Sequence, residues 1–218
     1  MRFFLASALL ALTATPCLAQ SPAALSETDR YLACLASVAD NADDAFEDAL
    51  TWRMEGGGWP AAHCEARALI ALGDIENGAR LMADQAGEEA NVDDTAIRAA
   101  MFIEAGQAWL GNGEAEMAET VFAEAAALAP ASLDARLGAA QASLALGDWD
   151  MAETRAGALI DRAPGLVDGW RIRAAARLEA GALDGAAQDL ETALTLAPDN
   201  IDLLVLRGRI NEARRLAD

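Results

Sequence analysis

The residues with the most reactive side chains lie together at 63–65, where the single histidine, His63, is followed by Cys64 and Glu65. A thiol activated by an imidazole is a nucleophile, and thiolate, imidazole and carboxylate are also the ligands of zinc. Neighbouring residues of a helix point about 100° apart, so His63 and Cys64 would not converge on one atom. One histidine with two cysteines also falls short of a structural zinc set. The sequence therefore predicts a histidine on a helix surface or between repeats.

Two further patterns have some features of phosphate or calcium sites. The run Gly56-Gly57-Gly58 has the glycines of a phosphate loop, but no lysine follows it and no strand precedes it. The pairs Asp43-Asp44 and Asp93-Asp94 lack the alternating oxygen ligands and the central glycine of a calcium loop. We therefore expect a flexible break at the glycine run, acidic surface at the aspartates, and neither catalysis, cofactor nor metal.

The first 19 residues have the pattern of a secretory signal peptide. Arg2 is followed by an almost wholly apolar stretch over residues 3–14, and the small Ala19 favours cleavage before Gln20. The stretch is too short to cross a hydrocarbon layer about 30 Å thick as a helix. We predict a periplasmic or secreted protein with no membrane span. In the alternative, Cys17 carries a lipid anchor, although Pro16 replaces the small residue usual before a lipidated cysteine.

The charge of the chain is strongly negative and unevenly distributed. It has 16 arginines, no lysine and 35 acidic residues, for a formal net charge of −19. Residues 21–130 carry 21 acids and five arginines, whereas residues 131–218 carry 14 acids and ten arginines. Without a local basic patch, such a chain is not expected to bind nucleic acid or an anionic lipid surface.

The chain repeats itself with a period of 34 residues. Pro130, Pro164 and Pro198 stand at this interval. The same interval separates Gly113, Gly147 and Gly181 in a second set, and Ala118, Ala152 and Ala186 in a third. Self-similarity at a fixed period indicates one supersecondary unit that is copied and stacked.

Each unit reads as two helices joined by a tight turn. In residues 133–166, Leu137, Ala140 and Leu144 recur at helical spacing, and Gly147 ends that helix. A second helix then runs to about Arg162 before Pro164. The alanines of the third set allow the two backbones to approach closely.

Cys34 and Cys64 are 30 residues apart, a little less than one period. That spacing places them on the first helices of neighbouring units, which stack side by side. An even number of cysteines in an exported protein favours a disulfide between them. The alternative is a pair of buried free thiols.

These units resemble the tetratricopeptide repeat (TPR), a helix–turn–helix of 34 residues. The matching residues are Phe102, Gly106, Trp109, Gly113, Ala118, Phe122, Ala125 and Pro130 in the first unit, Ala140, Gly147, Ala152 and Pro164 in the second, and Trp170, Ala174, Gly181, Ala186, Leu190, Ala193 and Pro198 in the third. The resemblance implies an all-α, right-handed α-solenoid of antiparallel helix pairs. We predict degenerate repeats over residues 20–98, three repeats over residues 99–200, and a capping helix over residues 201–218.

Three arginines depart from the family pattern. Arg136, Arg173 and Arg177 occupy positions that are usually apolar or aromatic in this family. Their stems can lie along apolar surface while their charged ends reach water. We expect them to form ion pairs with Asp168, Glu179 or other neighbours.

The resemblance also implies a binding surface, because the first helices of TPR units line a concave groove. The matching polar residues are Gln107, Asp134, Gln141, Asp168, Arg171 and Arg209, and Ile103, Leu110, Leu137, Leu144, Ala175, Leu178, Asp202 and Val205 complete the surface. Amides can bond the backbone of an extended peptide while the leucines hold its side chains. Arg171 and Arg209 could bind a carboxylate through two parallel hydrogen bonds. In the alternative, these are ordinary solvated helix residues.

The sequence therefore favours a non-enzymatic, periplasmic TPR-like scaffold that binds a protein or peptide partner. The alternative from another class is a structural accessory subunit of a periplasmic enzyme or of an envelope-assembly complex. A lipid-anchored form of the latter would require Cys17 to be retained.

Overall fold

The computed structural model describes residues 26–89 and 91–217, and within them it has eleven α-helices and no strand. The predicted signal peptide and Cys17 lie outside the described residues. The helices are α1 (Glu27–Asp40), α2 (Ala42–Met54), α3 (Gly58–Ala71), α4 (Ile75–Gly87), α5 (Thr95–Gly111), α6 (Ala115–Leu128), α7 (Leu133–Leu146), α8 (Trp149–Arg162), α9 (Val167–Glu179), α10 (Leu183–Leu196) and α11 (Ile201–Ala217).

The helices pack in chain order as an all-α solenoid. Each helix contacts the next one, and the odd-numbered helices from α5 to α11 also contact one another in succession. The helices therefore alternate between two layers, so that α5, α7, α9 and α11 form one continuous surface. This is the arrangement expected of stacked helix pairs that share a hydrophobic core only with their neighbours.

Glycines recur between paired helices because the turn needs a left-handed backbone. Gly113, Gly147 and Gly181 have φ angles of 86°, 77° and 78°. Side chains with a Cβ are disfavoured in this region, whereas glycine is not. Gly73, with φ of 91°, makes the same turn between α3 and α4.

Small residues set the distance between the helices. Ala118, Ala152 and Ala186 are completely buried. The ring of Phe122 lies between α5 and α7, where an added Cβ would stand 2.7 Å from it at Gly106 and 2.1 Å from it at Gly138. These two glycines therefore make the space that Phe122 fills.

The structure corrects one detail of the N-terminal half. The glycine run is not a flexible break, because Gly57 packs directly on Trp52 and Gly58 already belongs to α3. The loop between α4 and α5 is longer than the loops between the later helices. Val92 is buried within that loop, and α5 begins at Thr95, whose preceding residue Asp94 caps the helix.

Cys34 on α1 and Cys64 on α3 are joined by a disulfide in the structure, with their Cα atoms 6.2 Å apart. The bond links two helices of the same layer, as the sequence spacing suggested. It therefore ties the first helix of the described chain to the body of the solenoid.

Candidate binding grooves on the odd-numbered helices

The two candidate carboxylate-binding arginines come together on the surface formed by α7, α9 and α11. Arg171 and Arg209 line one open groove of about 370 Å³. Its other lining residues are Leu144, Ala175, Asp202, Val205 and Leu206. The groove thus has an apolar floor with cationic groups beside it. We call it the C-terminal groove.

Each of these arginines already has a carboxylate partner within the chain. Arg171 Nε donates to Asp168 Oδ1 at 2.9 Å, and Arg209 Nη2 donates to the carboxylate of Glu179. A guanidinium has five N–H donors, so each arginine can still donate to a second acceptor. Asp202 also lines the groove, so three carboxylates face the two arginines and the groove has no net positive charge. A bound carboxylate would therefore share the arginines or displace their partners.

Gln107 belongs to a different groove. It lies with Arg67 and Glu104 in an opening of about 580 Å³ that is bordered by residues of α1, α3 and α5. Its apolar lining residues are Val38, Ile70, Ala71 and Ala108. We call this the N-terminal groove. Asp134 and Gln141 of α7 line neither groove, so the structure divides the predicted site residues into separate places.

A partly buried hydrogen-bond chain lies beside the N-terminal groove. The side chain of His63 is 6% exposed. Its Nδ1 is 2.6 Å from the Tyr31 hydroxyl, and its Nε2 is 3.2 Å from Glu104 Oε2. A neutral imidazole satisfies both contacts when Nε2–H donates to the carboxylate and Nδ1 accepts the phenol proton. The hydrogen bond from His63 lowers the pKa of Glu104, and burial raises the pKa of Tyr31.

The histidine therefore links three odd-numbered helices, because Tyr31 is on α1, His63 on α3 and Glu104 on α5. The sequence prediction of an inter-repeat position agrees with this, and the helix-surface alternative is wrong. Cys64 is fully buried and points into the disulfide, away from this chain. Glu65 pairs with Arg53 at 2.9 Å, and burial raises the pKa of Glu65.

Arg173 and Arg177 form the predicted ion pairs with neighbouring residues, but not with the two acids named as candidates, Asp168 and Glu179. Arg173 donates from Nε and Nη2 to the carboxylate of Asp189 on α10, at 2.9 and 2.7 Å. Arg177 donates to Asp189 at 2.8 Å and to Glu153 on α8 at 2.8 Å. Neither contacts Asp168 or Glu179 in this way. Arg136 instead donates to the carbonyl oxygen of Pro130.

Asp189 is thus a structural residue that the sequence argument missed. It is only 2% exposed and accepts from two guanidinium groups. The sequence signal that could have identified Asp189 is its position, 16 residues after Arg173 and on the following helix. The predicted partners, Asp168 and Glu179, lie on α9 itself, whereas the repeat brings α10 against the arginines.

The fold has counterparts among solved structures. YrrB, described as a TPR protein with an unusual peptide-binding site, superposes with a TM-score of 0.67 at 14% identity, over 84% of this chain and 92% of its own. The thermophilic TPR protein TTC0263 of Thermus thermophilus has a TM-score of 0.54 at 21% identity, over 86% and 98%. This chain has the TPR fold. No protein-family model and no curated protein sequence matches it.

A third TPR structure holds a peptide. The first TPR of Spaghetti (RPAP3), bound to the HSP90 peptide SRMEEVD, has a TM-score of 0.50 at 22% identity, over 55% of this chain and 94% of its own.

Within residues 26–89 and 91–217 of the present TPR chain, no group of three or more His, Cys, Asp or Glu side chains is placed to hold a metal ion. In the same residues, no helix is long and apolar enough to span a bilayer.

Proposed function

We propose that this TPR chain is a non-catalytic scaffold that binds an extended segment of a partner protein in the C-terminal groove. The observation that carries the proposal is the meeting of Arg171 and Arg209 beside an apolar floor. Leu144, Val205 and Leu206 offer contacts to apolar side chains, and the guanidinium groups offer planar donors to a carboxylate. Solvent-exposed donors above an apolar floor suit a peptide in which acidic and apolar side chains alternate.

The peptide-bound relative supports this proposal by analogy of fold. The peptide in the Spaghetti structure contains two glutamates and an aspartate, which are the kind of acidic groups that arginines recognise. YrrB is likewise described as binding a peptide. We therefore propose that the segment bound here presents an acidic side chain or its terminal carboxylate to Arg171 and Arg209.

The intramolecular partners of these arginines make the proposal sharper. Glu179 holds Arg209 and Asp168 holds Arg171, so a ligand carboxylate competes with them. Replacing Glu179 by Gln would remove that competition while keeping the size of the side chain. Affinity for an acidic segment should then rise by several fold, whereas a ligand held only by the apolar floor should bind unchanged.

The test begins with photo-cross-linking in cells that express the chain, from a reactive residue in place of the exposed Val205, which identifies the partner segment. The affinity of that segment is then measured by titration calorimetry. Removal of a charged hydrogen-bond partner at an interface costs about 2–5 kcal/mol, so Arg171→Ala with Arg209→Ala should weaken binding at least tenfold. Arg215→Ala is the matched control, because Arg215 is exposed on α11 and pairs locally with Glu212. Undiminished affinity of the double variant would contradict the proposal.

We also propose export of the protein to the periplasm or the exterior. The signal-like residues 1–19 and the pairing of Cys34 with Cys64 both support this, since disulfides persist in oxidising compartments. Mass spectrometry of the protein purified from a periplasmic fraction should give a chain beginning at Gln20. Recovery of the unprocessed chain from the cytoplasm alone would contradict export, and a lipid on Cys17 would favour the anchored alternative.

A further inference from the structure

The N-terminal groove carries two opposite charges that lie side by side without forming a hydrogen bond. Arg67 Nη1 is 3.8 Å from Glu104 Oε2, which is beyond hydrogen-bond distance. The other arginine–carboxylate pairs in the part of the chain that the structure describes are 2.9 Å apart or closer. Arg67 is exposed and Glu104 is partly exposed. The groove therefore presents a guanidinium and a carboxylate that can each still bind a charged group of a ligand.

Glu104 is held in place by a polar chain that reaches it from the protein interior. The side chain of His63 is only 6% exposed, and its Nε2 is 3.2 Å from Glu104 Oε2. The Tyr31 hydroxyl fixes the other side of the imidazole, at 2.6 Å from Nδ1. Within the described residues, Glu104 Oε1 accepts no side-chain hydrogen bond. One carboxylate oxygen is thus oriented from behind by the buried histidine while the other is available to the groove, as a preorganised binding group requires.

Apolar side chains line the groove beside these charges. They are Val38 of α1, Ile70 and Ala71 of α3, and Ala108 of α5. Ala71 is exposed and the other three are partly exposed, so they have surface available to a ligand. The opening of about 580 Å³ has the size of a small-molecule site. The groove thus combines one cationic group, one anionic group and an adjoining apolar surface.

We infer that the N-terminal groove binds a free α-amino acid with an aliphatic side chain. Such a molecule carries its ammonium and its carboxylate on one carbon atom, so its two charges match two protein charges that lie side by side. Its ammonium donates to Glu104 Oε1, and its carboxylate accepts from the guanidinium of Arg67. Its side chain packs on Val38 and Ile70.

Charge complementarity favours this ligand over a segment of a protein. A purely acidic ligand would meet Glu104 as a like charge, and a purely basic ligand would meet Arg67 as one. An internal peptide segment has neither charged group on its backbone, whereas a free amino acid has both. The site is separate from the C-terminal groove, so the inference does not depend on the proposed peptide binding.

The probe is L-leucine, whose binding to the full chain is followed by ligand-observed NMR titration near neutral pH. We expect saturable binding at millimolar concentration or below. N-acetyl-L-leucine lacks the ammonium and L-leucinamide lacks the carboxylate, so each should bind about tenfold more weakly through the loss of a charged hydrogen bond. L-isoleucine, L-valine and L-methionine are measured in the same way, because the apolar surface accepts more than one aliphatic shape.

Two variants assign each charge of the ligand to its partner. Arg67→Gln and Glu104→Gln should each weaken the binding of L-leucine by about tenfold. Arg67→Gln should also remove the preference for L-leucine over L-leucinamide, and Glu104→Gln the preference over N-acetyl-L-leucine, because each pair of changes removes one interaction. Arg80→Gln is the matched control, since Arg80 forms an exposed ion pair with Glu76 on α4. Circular dichroism should show equal helicity for all three variants.

Three outcomes would overturn the inference. The first is no saturable binding of any of the four amino acids to the full chain at millimolar concentration. The second is equal affinity for L-leucine and its two derivatives, a comparison that uses the unchanged chain and so decides the question even if a variant fails to fold. The third is undiminished binding of L-leucine to both Arg67→Gln and Glu104→Gln, which would place the amino acid elsewhere on the chain.

Discussion

Two helix pairs of this solenoid have the same backbone arrangement and opposite contact chemistry. Ala105, Trp109 and Val121 lie at the contact of α5 with α6, and all three are buried apolar residues. Two periods later the corresponding residues are Arg173, Arg177 and Asp189, which form one ion-pair network between α9 and α10. We call the first contact the apolar joint and the second the ionic joint.

The comparison shows which part of a repeat is constrained and which is free. The small residues and the turn glycines recur at both joints, because the backbones must approach and reverse in the same way. The larger residues between the helices differ, since either hydrophobic burial or charge-assisted hydrogen bonds can fill the space. A buried ion pair gains little net free energy over an apolar contact, but loss of one partner leaves the other charge unsatisfied.

The largest expected effect concerns the ionic joint. Asp189→Ala leaves the partly buried Arg173 and Arg177 without their shared carboxylate and should lower the free energy of unfolding by about 3–5 kcal/mol. Converting the joint to its apolar counterpart, with Arg173→Ala, Arg177→Trp and Asp189→Val together, should be neutral or stabilising. Urea denaturation measures both. A loss below about 1 kcal/mol in Asp189→Ala would show that the two joints do not differ as described.

The apolar joint should respond to volume instead of charge. Phe122→Ala leaves a cavity beside Gly106 and Gly138 and should destabilise by about 3–5 kcal/mol. Gly138→Ala should destabilise by about 1–3 kcal/mol, because its Cβ overlaps the Phe122 ring. In the variant that carries both Phe122→Ala and Gly138→Ala, the change at 138 should cause no further loss of stability, because the Phe122 ring is absent. Additive losses in urea denaturation would refute the assigned overlap.

The two ends of the solenoid can be compared in the same way, because Cys34–Cys64 anchors α1 covalently while Arg214–Asp184 joins α11 to α10. In the chain-entropy model, closing a loop of about 30 residues stabilises by roughly 3–4 kcal/mol. Cys34→Ser with Cys64→Ser should therefore lower stability by that amount, whereas Arg214→Ala should change it by less than about 1 kcal/mol. Alkylation of two thiols in the native, unreduced protein would show that the bond is absent.

The smallest effect should come from pH at the His63 chain. The pKa of Glu104 is lower when folded than its ordinary value of 4.5, so its ionised form stabilises the fold. This contribution is complete above the ordinary pKa and is lost as pH falls through the lower, folded pKa. Glu104→Gln should reduce the loss of unfolding free energy at acid pH by less than about 1 kcal/mol, since the carboxylate is partly exposed. Unfolding curves of both proteins between pH 6 and pH 3 provide the check. An equal loss of unfolding free energy in the parent chain and in Glu104→Gln would contradict the prediction.

Much of the fold could be predicted from the sequence because its signals are local or periodic. The start of α2 is marked by a local signal, because the side chain of Asn41 accepts a hydrogen bond from the backbone N–H of Asp44. The left-handed glycines mark the turns of four helix pairs, at Gly73, Gly113, Gly147 and Gly181. Arg171 and Arg209 are one period plus four residues apart, which adds about one helical turn to the period, so they lie on the same face of neighbouring parallel helices.

The tertiary structure decided everything that depends on residues from different helices. No local rule predicts the partners of Arg173 and Arg177 or the burial of His63 under α1. Nor does one predict that the site residues divide between two grooves and other positions on α7. Their geometry depends on how far each helix is displaced against the next, which the volumes of buried side chains determine. The 34-residue period of this sequence thus determined the repeated backbone, whereas only packing between helices determined which charges meet.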